Sequence, residues 1–190
     1  SDSELKEREV MEMAKAVLIS IRPEWVKKIL AGEKALEVRK NRPNMGTPFK
    51  CYIYCTNSGV AMGMWGKHGK VVGEFVCDKI TWLTHIGFSG LPGVRLAAIK
   101  NGHTIDDSFD FSESCLTTPQ IEKYLGGKDG YAWHISNLKI YDTPKKLSKF
   151  SRPFENCIGK ACDEFGCAYC ENGGHIKRPP QSWCYVEEFK

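Results

Sequence analysis

Several things are missing from this 190-residue chain, and each absence narrows what it can be. No apolar run approaches the roughly 20 residues needed to cross a bilayer as a helix, so no membrane partner is expected. The start does not resemble a secretion signal, with its charged stretch followed by an apolar one. There is no internal repeat, which argues against a solenoid or propeller, and no low-complexity tract, which argues against a disordered linker. Strong charge of one sign is also lacking. The 27 Lys and Arg against 23 Asp and Glu leave a net +4, too little alone to mark a nucleic-acid partner. The apolar share of 42% is ordinary, and a real core is feasible at this length.

What is present is an uneven distribution of charge. From Arg22 to Lys50, eight basic residues (Arg22, Lys27, Lys28, Lys34, Arg39, Lys40, Arg42, Lys50) face only Glu24, Glu33 and Glu37. The stretch 102–130 is the reverse, with Asp106, Asp107, Asp110, Glu113, Glu122 and Asp129 against Lys123 and Lys128. The basic patch would attract phosphate, although a solvated surface of uneven charge is the plain alternative.

The segment from Ile21 to Arg39 is the most informative. Pro23 suits the first helical position, where a missing N–H costs nothing, and Gly32 suits the residue just past the end. Val26, Ile29 and Leu30 fall at helical spacing and predict one buried face, with Lys27 and Lys28 left to water. In Ala35–Arg39 the period changes to two: Leu36 and Val38 point one way, Ala35, Glu37 and Arg39 the other. A tight turn would set Lys34 beside that charged face, so an ammonium, a carboxylate and a guanidinium are expected around one shared hollow.

Elsewhere, Ala16–Ile21 reads as a buried strand, Phe49–Cys55 as another, and Val71–Thr81 as a third in which Gly73 marks a bulge or close backbone approach. Asn57–Gly69 is Gly-rich and reads as a mobile loop or lid, with Trp65 and Lys67 exposed for ligand contact. Pro119–Leu125 reads as a short helix capped by Thr118 and ended by Gly126. Tyr131–Tyr141 reads as a long strand with a bend midway, Pro144–Phe150 as a short basic turn or helix, and Arg178–Glu188 as the closing strand. Strands that do not alternate regularly with helices indicate an α+β fold with a mixed, mostly antiparallel sheet or small barrel. Residues 1–15 read as a polar leader and 16–190 as the domain, with a Cys-rich insertion at about 155–176.

Ile-Leu-Ala-Gly-Glu-Lys-x-x-Glu-x-Arg, from Ile29 to Arg39, resembles the signature of the ASCH domain, a family related to PUA-like RNA-binding barrels. Val71–Phe75, Tyr131–Ile135 and Arg178–Val186 resemble further segments of ASCH proteins common in phages and prophages. The resemblance implies a PUA-like β-barrel with short helices at its rim. It also implies RNA or a modified nucleoside as ligand; the residues expected to hold it, from the basic patch and the Gly-rich loop, are Arg22, Lys34, Glu37, Arg39, Trp65 and Lys67.

Some small ASCH proteins hydrolyse N4-acylated cytidine with a Lys at the position matching Lys34. That similarity makes Lys34 and Glu37 candidate catalytic residues of an amidohydrolase or a ribonuclease. The residue matching Glu37 in those enzymes is typically a Thr nucleophile, and this chain departs from the pattern there. Glu122 and Asp129 are the available downstream acids.

Nine cysteines without a secretion signal point to a reducing, cytoplasmic setting. Cys51, Cys55 and Cys77 fall in strands as small apolar residues. Cys157, Cys162, Cys167 and Cys170 are different. The Cys167–Cys170 spacing lets two thiolates share one ion, and a segment with few apolar residues needs a staple, so a structural zinc is expected. A zinc-stapled protein-interaction module is the third reading.

Overall fold

In the computed structural model the described residues are 15–59, 61–87, 94–100, 103–105, 110–153 and 174–189. Strand β1 (Lys15–Ile21) leads into helix α1 (Pro23–Leu30), then β2 (Leu36–Arg39), β3 (Phe49–Cys55), and the long β4 (Lys70–Gly87). After it come β5 (Val94–Lys100), β6 (His103–Ile105), helix α2 (Thr118–Leu125), the long β7 (Gly130–Lys146) and β8 (Trp183–Glu187). All eight strands form one sheet in the order β2-β7-β4-β3-β1-β8, with β5 and β6 extending from β4. Only β1 and β3 run parallel; the other pairs are antiparallel.

The apolar run of β1 is buried on both faces, as a central strand requires. Val17, Ile19 and Ile21 join Cys51, Ile53, Phe75 and Trp133 in one cluster. Ala16 and Leu18 join Tyr52, Tyr54, Phe150 and Val186 in a second on the opposite side. Cys51, Cys55 and Cys77 behave as apolar side chains there, and burial pushes the thiols of Cys55 and Cys77 up to about 11 and about 12. Helix α1 buries Val26 and Ile29 against the first cluster, and Gly32 follows it with φ of 75°, where a side chain would be strained.

The sheet is not closed into a barrel by hydrogen bonds: among the described residues β2 and β8 end its main run of strands without pairing with each other, and β6 ends the branch from β4. Strands β2 and β8 are nevertheless drawn together just beyond their ends. The Trp183 Nε1–H donates to Asn41 Oδ1 at 2.9 Å, and Arg39 Nη1 donates to Ser182 Oγ at 3.2 Å. Curvature comes from β4 and β7, whose register slips at three places along 18 and 17 residues respectively.

Three local expectations need correction. The cap of α2 is Thr117, one residue earlier than read, because Gln120 completes a reciprocal capping box with it. Strand β7 runs on to Lys146, into the first part of the stretch expected as a basic turn or helix, and only Leu147–Lys149 forms a short 3₁₀ helix there. The Gly-rich loop is not a free lid in this structure: Met64 is buried in the first cluster, and turn bonds link Met64 to Ala61 and Lys67 to Met64.

Lys15, expected as the last residue of the leader, opens β1; residues 1–14 and the four proposed zinc cysteines, Cys157, Cys162, Cys167 and Cys170, lie outside the described residues. The chain on either side of 154–173 is joined at its base. Arg152 N–H donates to the Gly174 carbonyl at 2.9 Å, and Ile176 N–H to the Phe150 carbonyl at 2.8 Å.

At Gly73 a Cβ would lie 2.6 Å from the Lys139 carbonyl oxygen, a main-chain atom that cannot swing away. Gly73→Ala is therefore expected to destabilise the protein by about 1–3 kcal/mol, read as a lower urea midpoint with an unchanged slope.

Candidate functional site

The turn after α1 delivers Lys34 into the interior. Glu33 and Lys34 N–H groups bond back to the Lys28 carbonyl, and Ala35 N–H donates to the Glu113 carbonyl at 2.8 Å. Strand β2 then alternates as its sequence predicts. Leu36 and Val38 enter an apolar cluster with Ile121, Leu125, Leu83 and Ala132, packed under α2. Glu37 and Arg39 face the other way.

Lys34, Glu37 and Arg39 are 3%, 8% and 7% exposed, so the trio is buried rather than spread on a surface. Lys34 Nζ lies 3.2 Å from Glu37 Oε2, and Arg39 Nη2 lies 3.0 Å from Glu37 Oε1. One carboxylate thus lies between two cations. Lys34 Nζ also donates to the Leu36 and Ser114 carbonyls, both at 2.7 Å. Arg39 Nη2 donates to the Ser20 carbonyl at 2.7 Å. The buried Arg39 Nε–H has no hydrogen-bond partner, an uncommon cost for a stabilising network and a common feature of functional sites.

This trio lines one side of a hollow of ≈ 510 Å³, a size suited to a small organic ligand. The lining also includes two aromatic side chains, Trp25 and Tyr124, and the neutral donors and acceptors Ser20, Thr56, Ser58, Gln120, Gln181 and Ser182. The Trp25 ring centroid is 5.5 Å from Lys34 Nζ. Burial raises the Tyr124 phenol above its ordinary value of 10, with Arg39 acting in the opposite direction, so the hydroxyl remains neutral at physiological pH. Arg22 is solvent-exposed at the rim.

Of the residues expected at the ligand cleft, the hollow gathers Arg22, Lys34, Glu37 and Arg39. Trp65 and Lys67, also expected there, are absent from its lining. Met64, the residue before Trp65, is buried, and Trp65 points outward, 91% exposed. Of the two downstream acids, Asp129 accepts from Trp82 Nε1 and Thr84 Oγ1 and, like Glu122, does not line the hollow. His134 is packed rather than poised: its Nε2 lies 3.1 Å from Thr81 Oγ1, and burial, helped by Lys79, lowers its pKa.

Sequence reading missed Ser20, Ser114, Tyr124 and Gln181. Ser114 acts through a main-chain oxygen, which no side-chain pattern can reveal. Among the described residues, no group of three or more His, Cys, Asp or Glu is arranged to hold a metal ion. None of their helices is long and apolar enough to cross a membrane.

The chain resembles the crystal structure of ASCH from Zymomonas mobilis with a TM-score of 0.52 over 90% of this chain and 86% of that one, at 19% identity. A variant of the same protein gives 0.52 over 91% and 89%, at 18% identity.

The chain has the ASCH fold.

Sequence comparison finds no matching family model and no matching curated protein. In this version of the ASCH fold Lys34, Glu37 and Arg39 of the Glu-Lys-x-x-Glu-x-Arg segment turn inward and meet, while Glu33 stays exposed beside Lys28.

Removing the central anion would leave two buried cations facing each other. Glu37→Gln is expected to lower unfolding free energy by about 3–5 kcal/mol. Chemical denaturation at neutral pH checks this; a loss below about 1 kcal/mol would show that the trio is not a tight buried network.

Proposed function

We propose that the protein binds RNA or a modified nucleoside, with one nucleoside unit seated in the hollow beside Lys34, Glu37 and Arg39. The lining carries this reading. Two aromatic side chains supply stacking surface, and side-chain amides and hydroxyls supply both donors and acceptors for the edge of a heteroaromatic base. Arg22 at the rim supplies a cation for a phosphate. A simple anion site would need fewer neutral acceptors, and an apolar ligand would leave the ionic wall unmatched.

The arrangement favours binding over hydrolysis. Each N–H of the Lys34 ammonium already has an acceptor, and both Glu37 oxygens are engaged by cations. For Lys34 to take a proton or attack a carbonyl, the amine would have to be neutral and release one of these bonds. Release of product from N4-acetylcytidine or from an RNA oligonucleotide, abolished by Lys34→Ala in a folded protein, would replace this reading with the hydrolase.

Tyr124→Ala and Arg22→Ala alter the wall and the rim without breaking the ionic trio. Each is expected to weaken binding of ribonucleoside monophosphates by roughly fivefold or more, measured by calorimetry, while the unfolding midpoint of the Arg22 variant stays close to the parent's. No detectable binding by the parent, or equal affinities across all three proteins, would overturn the proposal.

The same proposal places the protein in the cytoplasm, where its thiols stay reduced, and assigns a structural zinc to Cys157, Cys162, Cys167 and Cys170. Metal analysis of protein purified without chelator is expected to find one zinc per chain, and chelation to lower the melting temperature.

A further inference from the structure

Tyr124 lines the hollow and also meets a surface strip outside it. Beyond β2 the chain runs outward through Lys40, Asn41 and Arg42, and this segment is fastened to the opposite sheet edge. Asn41 accepts from Trp183, and Asn44 N–H donates to the Tyr185 hydroxyl at 2.7 Å. Lys40 and Arg42 are exposed, and neither pairs with a carboxylate among the described residues. Each lies over an aromatic ring instead. Lys40 Nζ is 5.1 Å from the centroid of Tyr124, and the Arg42 guanidinium carbon is 5.9 Å from that of Tyr131.

Tyr131 is the register partner of Trp82 across β4 and β7. Trp82 and Tyr124 are 43% and 41% exposed, large apolar surfaces at the two ends of this strip. Trp82 is also held in place. Its indole N–H donates to Asp129 Oδ2 at 3.0 Å, while Thr84 Oγ1 donates to Asp129 Oδ1 at 2.7 Å. The Asp129 carboxylate therefore has both oxygens engaged, and the other charges on the neighbouring helix and turn are Glu122, Lys123 and Lys128.

Rings interleaved with unpaired cations match a strand whose phosphates need neutralising and whose bases are free to stack. A duplex keeps its bases stacked on one another and offers only the phosphates.

We propose that the strip from Tyr124 through Lys40, Arg42 and Tyr131 to Trp82 docks single-stranded RNA flanking the unit held in the hollow. This rests on reading the hollow as an RNA site, and the experiment separates the two. Fluorescence anisotropy would follow a labelled ribonucleoside monophosphate, a single-stranded ribo-octamer of mixed sequence, and the same octamer in a duplex. For the octamer, Lys40→Ala/Arg42→Ala is expected to reduce the log–log salt slope by roughly 1.4, two phosphate contacts at about 0.7 each. Trp82→Ala is expected to weaken octamer binding by about fivefold or more. Both variants should leave the monophosphate affinity unchanged.

Octamer losses without any monophosphate binding would remove the hollow reading and leave the strip standing. The strip proposal is overturned if the octamer does not bind, if the double variant keeps the parent's salt slope, or if the duplex binds as tightly as the single strand. The double variant changes only exposed side chains, so it remains decisive even if Trp82→Ala fails to fold.

Discussion

The carboxylate of Glu37, held between the Lys34 ammonium and the Arg39 guanidinium, is the contact on which the geometry of the hollow depends. Three charges sit where water scarcely reaches, and charges there persist only when paired and hydrogen-bonded. The remaining hydrogen bonds of the two cations go mainly to main-chain carbonyls: Leu36 and Ser114 for Lys34, Ser20 for Arg39. Each of those carbonyls belongs to a different part of the chain. The trio therefore ties the end of β1, the whole of β2 and the turn before α2 to one point, and the hollow opens beside that point.

The sheet makes this possible. With β1 buried on both faces and the long β4 and β7 bent by register slips, β2 and β8 approach without pairing. Their backbones leave a gap, and side chains bridge it: Arg39 to Ser182 and Trp183 to Asn41. A barrel closed by strand pairing would fill that gap with ladder hydrogen bonds. Leaving it open provides space for a ligand while holding the edges in register, which also reduces the exposed strand edge available for unwanted pairing.

Local signals in the chain account for part of this and not for the rest. Helix α1 was legible because Pro23, the apolar spacing and Gly32 all agree within one short segment. Strands β1 and β3 were legible because their β-branched and aromatic residues leave little alternative. The extra length of β4 was not, since its later residues are held by pairing with β5, and a strand supported by a partner needs no strong pattern of its own. Thr117 and Thr118 are adjacent and chemically equivalent as caps; the capping box with Gln120 selects the first. Trp65 looked like a ligand contact because it stands among glycines and cations, but the burial of Met64 next to it directs it outward.

By itself the sequence determined the alternation that puts Glu37 and Arg39 on one face of β2, the turn that brings Lys34 beside them, and the mixed α+β character of the sheet. These follow from backbone periodicity and turn stereochemistry, which act over a few residues. Only the tertiary structure decided that the three charges are buried, that the Ser20 and Ser114 carbonyls complete their bonding, and that Trp25 and Tyr124 wall the hollow. Burial and carbonyl partners depend on which distant segments pack together, and pairing between segments as far apart as Arg39 and Ser182 leaves no mark on the local pattern of either one.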